Sequence, residues 1–150
     1  MKSVYLCGPI SGMTVEEAKA YRSEATEILS GSGLYVLDPM RGKFTAPESR
    51  TERLKSKGYT EVSSTDKAIV NRDFNDVATC DAVLADFRTA TRVSIGSCVE
   101  FGWASALRKP IVTVMSDGNP HDHGFIHQLS TYVVSDMSEA LDLLILLLNV

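Results

Sequence analysis

The chain lacks a Gly-x-Gly-x-x-Gly after its first apolar segment. Gly8-Pro9-Ile10-Ser11-Gly12-Met13 stands there instead, which argues against a dinucleotide-binding domain. Cysteine is scarce. Cys7, Cys80 and Cys98 are an odd number without ligand-like spacing, each in or beside an apolar segment. Buried reduced thiols and a cytoplasmic location are therefore expected, not a disulfide frame. Basic residues are not in excess: 15 Lys and Arg against 19 Asp and Glu leave a net charge of -4. That balance argues against a surface for polymeric nucleic acid, although a local pocket could still hold a small phosphorylated ligand. No apolar run reaches the length of a bilayer span. The run before Gly8-Pro9 is too short for a signal-peptide core, and Leu143 to Leu148 reads as a buried helix or an oligomer contact, so no membrane partner is expected. Internal repeats and low-complexity segments are also missing.

What is present suits a single domain over 1–150, since 44% hydrophobic content in 150 residues supports a core without disulfides or a structural metal. Val4 to Cys7 reads as a strand and Gly8 to Gly12 as a turn-rich loop. Thr14, with Glu17 three residues on, opens a helix carrying Ala18, Tyr21, Ala25, Ile28 and Leu29 at helical spacing. Gly31-Ser32-Gly33 ends it before a second strand, Leu34 to Leu37. A long polar stretch from Asp38 to Ser64 contains Arg41, Lys43, Arg50, Arg53, Lys55 and Lys57, and a loop of that length in so small a domain is usually functional. Ser64 or Thr65 caps the next helix, to about Thr79, with Ile69, Val70 and Val77 on the core face and Asp73 beside them. Strands follow at Ala82 to Phe87, Ile111 to Met115 and Tyr132 to Val134, and Ser135 or Asp136 caps a last helix. Alternation of this kind predicts an α/β fold: a doubly wound, flavodoxin-like or Rossmann-like, five-stranded, mostly parallel sheet with helices on both faces.

Chemistry concentrates in Ser94 to Pro110. A small-residue loop with Gly96 and Ser97 enters a helix that places Glu100 in its first turn, where free N–H groups would keep a carboxylate ionised. Arg108 and Lys109 would complement the far end of the helix, and Pro110 would stop it. Acidic residues are common in first turns for dipole reasons alone, so this feature needs company. It has some. In the predicted topology Gly8 to Gly12, Pro39 to Lys43, Asp86 to Gly96 and Ser116 to His123 all emerge at one sheet edge, where Asp73 and Glu100 can converge. A nucleophilic carboxylate and a second acidic group that holds its proton by desolvation and like-charge proximity are what a retaining glycosyl transfer requires. Alternatively, Asp73 simply pairs with Arg72 or Arg41.

Three segments carry a more specific likeness: Tyr5-Leu6-Cys7-Gly8-Pro9-Ile10, Asn71-Arg72-Asp73-Phe74 with Cys80-Asp81, and Gly96-Ser97-Cys98-Val99-Glu100-Phe101-Gly102-Trp103-Ala104 closing at Lys109-Pro110. In these the chain resembles the nucleoside 2-deoxyribosyltransferase family, including its branch of nucleoside 5'-monophosphate N-glycosidases. The resemblance implies that Glu100 attacks the sugar C1', that Asp73 is the acid/base group facing the nucleobase, and that Tyr5 positions the nucleophile or sugar. It also implies substrate contacts from Gly8, Pro9, Ile10, Arg41 and Asp86, with no metal or other cofactor. Transferases of the family usually carry Asp where this chain has Ser94, whereas the monophosphate-hydrolysing branch resembles it in having Ser. A hydroxyl beside the Gly96 and Ser97 N–H groups is a reasonable seat for a 5'-phosphate. Pro9 and Ser11, however, stand where that branch tends to have Ser and Arg.

By the same likeness Asn119, His121 or His123 would complete a neighbouring subunit's pocket in a homo-oligomer. The His-x-His pair has no third zinc ligand evident in sequence, so a substrate contact is the leading reading. The implied activity is cleavage of the N-glycosidic bond of a 2'-deoxynucleoside or its 5'-monophosphate through a covalent deoxyribosyl-glutamate, with transfer to another base or to water. The alternative is a catalytically silent nucleotide-binding sensor, and the presence of both Glu100 and Asp73 tells against it.

Overall fold

A computed structural model describes residues 1–41, 53–55, 57–58 and 62–148. Strands β1 (Ser3–Cys7), β2 (Tyr35–Leu37), β3 (Ala82–Asp86), β4 (Ile111–Val114) and β5 (Tyr132–Val134) form one sheet. Its order is β2-β1-β3-β4-β5, and every neighbouring pair is parallel, so the expected mostly parallel sheet is wholly parallel. The chain steps from β1 outward to β2 and then returns to the other side of β1 for β3. The strand order thus reverses between β1 and β3, and the loops leaving the carboxyl ends of these two strands diverge to leave a crevice.

Alternation along each strand divides the core in two. Val4, Leu6, Ala82, Leu84, Val112 and Val114 face helices α1 (Val15–Gly31) and α5 (Met137–Leu148). Tyr5, Cys7, Val83, Ala85 and Ile111 face α2 (Asp66–Thr79), α3 (Ile95–Ala106) and α4 (Gly124–Leu129). The capping box expected at Thr14 is present, with Thr14 Oγ1 accepting from the Glu17 N–H and Glu17 reaching back to the Thr14 N–H. In α5, Leu141, Leu144 and Leu148 are buried and Leu146 is exposed, which settles the leucine run as a core helix. Among the described residues no helix is long and apolar enough to cross a membrane.

Several expectations are corrected. Val70 is half exposed, because α2 turns Asp73, Asp76 and Val77 inward instead. Helix α4 was missed; His123 caps it, its Nδ1 accepting the Phe125 N–H. Cys7 and Cys80 are buried, but Cys98 is exposed because it lies off the inner face of α3 formed by Ser97, Phe101 and Ala104. Lys109 does not serve the end of α3: its Nζ donates to the Cys80 carbonyl at the end of α2, at 2.7 Å. Lys43 and Arg50, counted in the polar stretch, lie outside the described residues.

Candidate active site

The site is assembled from one strand and two helices. On β1, Tyr5 shares a face with Cys7 and reaches toward α2 and α3. Those helices pack with Phe74 edge-on to Trp103, ring centroids 5.2 Å apart. One residue before Phe74 stands Asp73, and three before Trp103 stands Glu100, so the same helix pairing brings the two carboxylates near each other. Tyr5 and Glu100 both feel the Asp73 charge, which brings the three predicted groups together.

The electrostatics differ from the sequence expectation. Ser94 is the N-cap of α3, so Glu100 sits in the second turn, beyond the free N–H groups of the helix start. Burial, and then the charge of Asp73, push the Glu100 carboxyl up to about 7, against the opposing pull of Cys7, Tyr5 and Arg22. Asp73 is buried, and its Oδ1 lies 3.4 Å from Arg72 Nη2. The Tyr5 phenol is held well above its usual range by burial and by both carboxylates, so it remains a hydroxyl. That hydroxyl is buried and, among the described residues, stands beside Glu100 without meeting full hydrogen-bond geometry to any partner. Cys7 is likewise kept a thiol by burial and by Glu100, with its Sγ 3.8 Å from the Ser97 carbonyl.

With the Glu100 carboxyl at about 7 beside the Asp73 charge, the pair keeps its last proton up to about that pH, so a kcat/KM that needs one proton on the pair is expected to fall above about pH 7 with unit slope. A rate profile flat up to about pH 9 would contradict this environment for Glu100.

The loops supply the rim. Gly8 is required because a Cβ there would lie 2.7 Å from the Asp86 carbonyl and 2.8 Å from the Tyr21 hydroxyl. The Gly8 carbonyl accepts from Arg22 Nη2 at 3.1 Å, and the Pro9 carbonyl from the Tyr21 hydroxyl at 2.8 Å. Ile10 closes the turn by accepting the Met13 N–H. Arg92 and Arg53 donate to the Ser11 and Gly12 carbonyls, and Leu54 exchanges backbone bonds with Gly12 and Met13.

Not every predicted contact residue joins the three central groups. Asp86 follows Ala85 on β3 and therefore points to the opposite face, where Arg88 pairs with it at 2.9 Å. Arg41 is held by Asp76 at 2.6 Å and by the Asp38 carbonyl at 3.1 Å. The Ser94 hydroxyl accepts from the Ser97 N–H and hydroxyl, so one donor of the expected phosphate seat is spent on the cap, while Gly96 stays open. Asn119 and His121 turn into their own chain, the former donating to the Phe87 carbonyl and the latter accepting the Ser94 N–H. His123 is exposed at the start of α4, apart from the buried His121.

Sequence reasoning missed Arg22, which is buried beneath the first loop with its Nε 3.5 Å from Asp38 Oδ1, an ion contact without hydrogen-bond geometry. A signal existed. Arg22 interrupts the otherwise apolar inner stripe Ala18, Ala25, Leu29 of α1.

Residues 4–144 match the family model for nucleoside 2-deoxyribosyltransferase. Among solved structures the chain is similar to a CMP N-glycosidase of Clostridium botulinum, with 22% identity, 97% of this chain and 99% of that chain covered, and a TM-score of 0.58. It is also similar to a 2-deoxyribosyltransferase of Leishmania mexicana, with 19% identity, 95% of each chain covered and a TM-score of 0.61. A third, the 2-deoxyribosyltransferase of Bacillus psychrosaccharolyticus, has 16% identity over 93% of this chain and 90% of that chain, with a TM-score of 0.65. At such identities the likeness establishes the fold. No curated protein matches the sequence. With the family model spanning all but the ends of the sequence, the chain belongs to the nucleoside 2-deoxyribosyltransferase family.

Proposed function

We propose that this protein cleaves the N-glycosidic bond of a 2'-deoxynucleoside or its 5'-monophosphate, with Glu100 as nucleophile and Asp73 as acid/base group. The observation that carries the reading is the convergence of Glu100, Asp73 and the buried Tyr5 hydroxyl beside β1. Glu100 attacks C1' and the bond to the base breaks. The base keeps the electron pair and takes a proton from Asp73, leaving a deoxyribosyl ester on Glu100. Water or a second base, giving its proton to Asp73, then attacks C1' and frees the carboxylate. The two carboxylates share one proton during this cycle, and the productive form has Glu100 ionised. The Tyr5 hydroxyl is a donor for the Glu100 oxygen that does not attack or for the sugar. Incubation with a panel of deoxynucleosides and their monophosphates, with and without a free base, followed by chromatography, separates transfer from hydrolysis. Release of no base from any of them would overturn the reading and leave an inert binder.

The working form is a homo-oligomer. Helix α3 carries a second apolar stripe, Ile95, Val99, Gly102 and Ala106, on the side away from its buried face, and Glu100 is the helix's lone charged residue. Ile95 is 80% exposed. Phe74, packed on Trp103 alongside, is 44% exposed and extends this apolar surface, and contiguous exposed apolar surface of this kind marks an interaction face. A second copy of this chain covers it, since small residues at 102 and 106 allow two such helices to approach closely. Sedimentation equilibrium is expected to give a dimer or larger species, and Ile95→Glu a folded monomer. A monomeric wild-type protein would overturn the assignment.

A further inference from the structure

His121 is fully buried, with its ring stacked on Phe87 at 3.9 Å between centroids and 3° between planes. Four contacts define its protonation. Asn119 Nδ2 donates to the Phe87 carbonyl at 2.8 Å, which fixes the amide so that Asn119 Oδ1 faces His121. That oxygen accepts the His121 backbone N–H at 2.9 Å and lies 3.3 Å from the ring Nδ1, the position that must then carry the hydrogen. Nε2 is thereby left bare, and it accepts the Ser94 N–H at 2.9 Å.

The consequence runs along α3. Ser94 caps the helix by accepting the Ser97 N–H, and the Ser97 carbonyl faces the Cys7 thiol beside Glu100. From this geometry we propose that neutral His121 is a positioning residue for the nucleophile: by holding the Ser94 N–H it sets the first turn of α3, and so the direction from which Glu100 meets the sugar. The proposal rests on the reaction assigned above. An imidazolium would direct an Nε2–H at the Ser94 N–H, two donors in contact, and would break the latch. Burial already holds the ring below its ordinary histidine value.

The charges on the neighbouring segments are engaged elsewhere. Arg88 pairs with Asp86 and Glu24, Arg92 donates to the Ser11 carbonyl, and Asp122 pairs with His127 at 2.7 Å. Asp117 and His123 are exposed. Among the described residues the ring is thus met by Phe87, Asn119 and Ser94, not by a charge that would retain its proton.

The test follows the latch and the rate separately. In an NMR titration the Ser94 amide is expected to shift with the same midpoint as the His121 ring, below about 6.5. In the rate profile, log kcat/KM is expected to gain one unit of slope below that midpoint. His121→Gln offers a carbonyl acceptor that does not titrate, so it is expected to keep turnover at pH 8 and lose the steeper limb. His121→Phe keeps the stack and loses the acceptor, and is expected to lower kcat about ten- to a hundredfold with a smaller change in KM. A Ser94 amide indifferent to His121, or a folded His121→Phe protein with wild-type kcat, would overturn the proposal. Co-titration in a wild-type protein that cleaves no substrate supports the latch and counts against the reaction, so the two fail separately.

Discussion

Glu100→Gln is expected to lower kcat at least about a thousandfold while raising the stability of the fold at pH 8. The loss follows from the covalent step, since an amide cannot form the sugar ester and Asp73 is committed to the base. The gain follows from the same burial. In the folded protein the Glu100 carboxyl sits at about 7 against an ordinary 4.5, so the native state binds a proton that the unfolded chain has released. That contribution to stability is complete below about pH 4.5 and is lost as the pH rises through about 7. Glutamine carries no charge at any pH and escapes the loss, by at most about 3 kcal/mol, and by less than that because Glu100 is only partly screened from solvent. Thermal melts at pH 4.5 and pH 8 check the second half: Tm should differ between wild type and variant only at the higher pH. Turnover near the wild-type rate would sink the nucleophile assignment, and an unchanged Tm at pH 8 would mean that Glu100 is not strained by its surroundings.

That tension explains which parts of the molecule were legible from sequence. Strand and helix positions depend on local patterns, and these were plain: Thr14 with Glu17 at the start of α1, the short apolar runs of the strands, and the strand-helix alternation that dictates parallel pairing. Residues whose role depends on distant partners were not. Arg41 and Asp86 looked available for a ligand, yet each spends its charge on an ion pair, with Asp76 or with Arg88. For Asp86 the strand period alone was decisive, because Ala85 takes the crevice face and Asp86 must take the other. Asn119 and His121 were read as reaching outward, whereas stacking on Phe87 holds the ring inside its own chain. Glu100 was placed one turn too early because Ser94, not a later residue, is the cap, and its ionisation was therefore argued in the wrong direction.

Asp73→Asn is expected to cost most where the leaving group is poorest. A natural base leaves as an unstable anion unless it is protonated as the bond breaks, and general acid catalysis of that kind is worth about a hundred- to ten-thousandfold. A sugar bearing a leaving group that is stable as an anion needs no such proton. With natural deoxynucleosides or their monophosphates the variant should lose about that much in kcat, and with an activated substrate it should retain glycosyl transfer to Glu100. The variant also leaves no proton to be lost at position 73, so with the activated substrate the fall in rate above about pH 7 should disappear. The two signatures have one cause, the proton and charge at Asp73, but are read independently, one from leaving-group dependence and one from pH. Asp73 is also tied to Arg72, which reaches the Pro39 carbonyl at 3.2 Å, so a purely structural role would disturb the β2 to α2 connection instead. In that case natural and activated substrates would suffer equally and the fall above about pH 7 would remain, and the acid/base role of Asp73 would have to be abandoned.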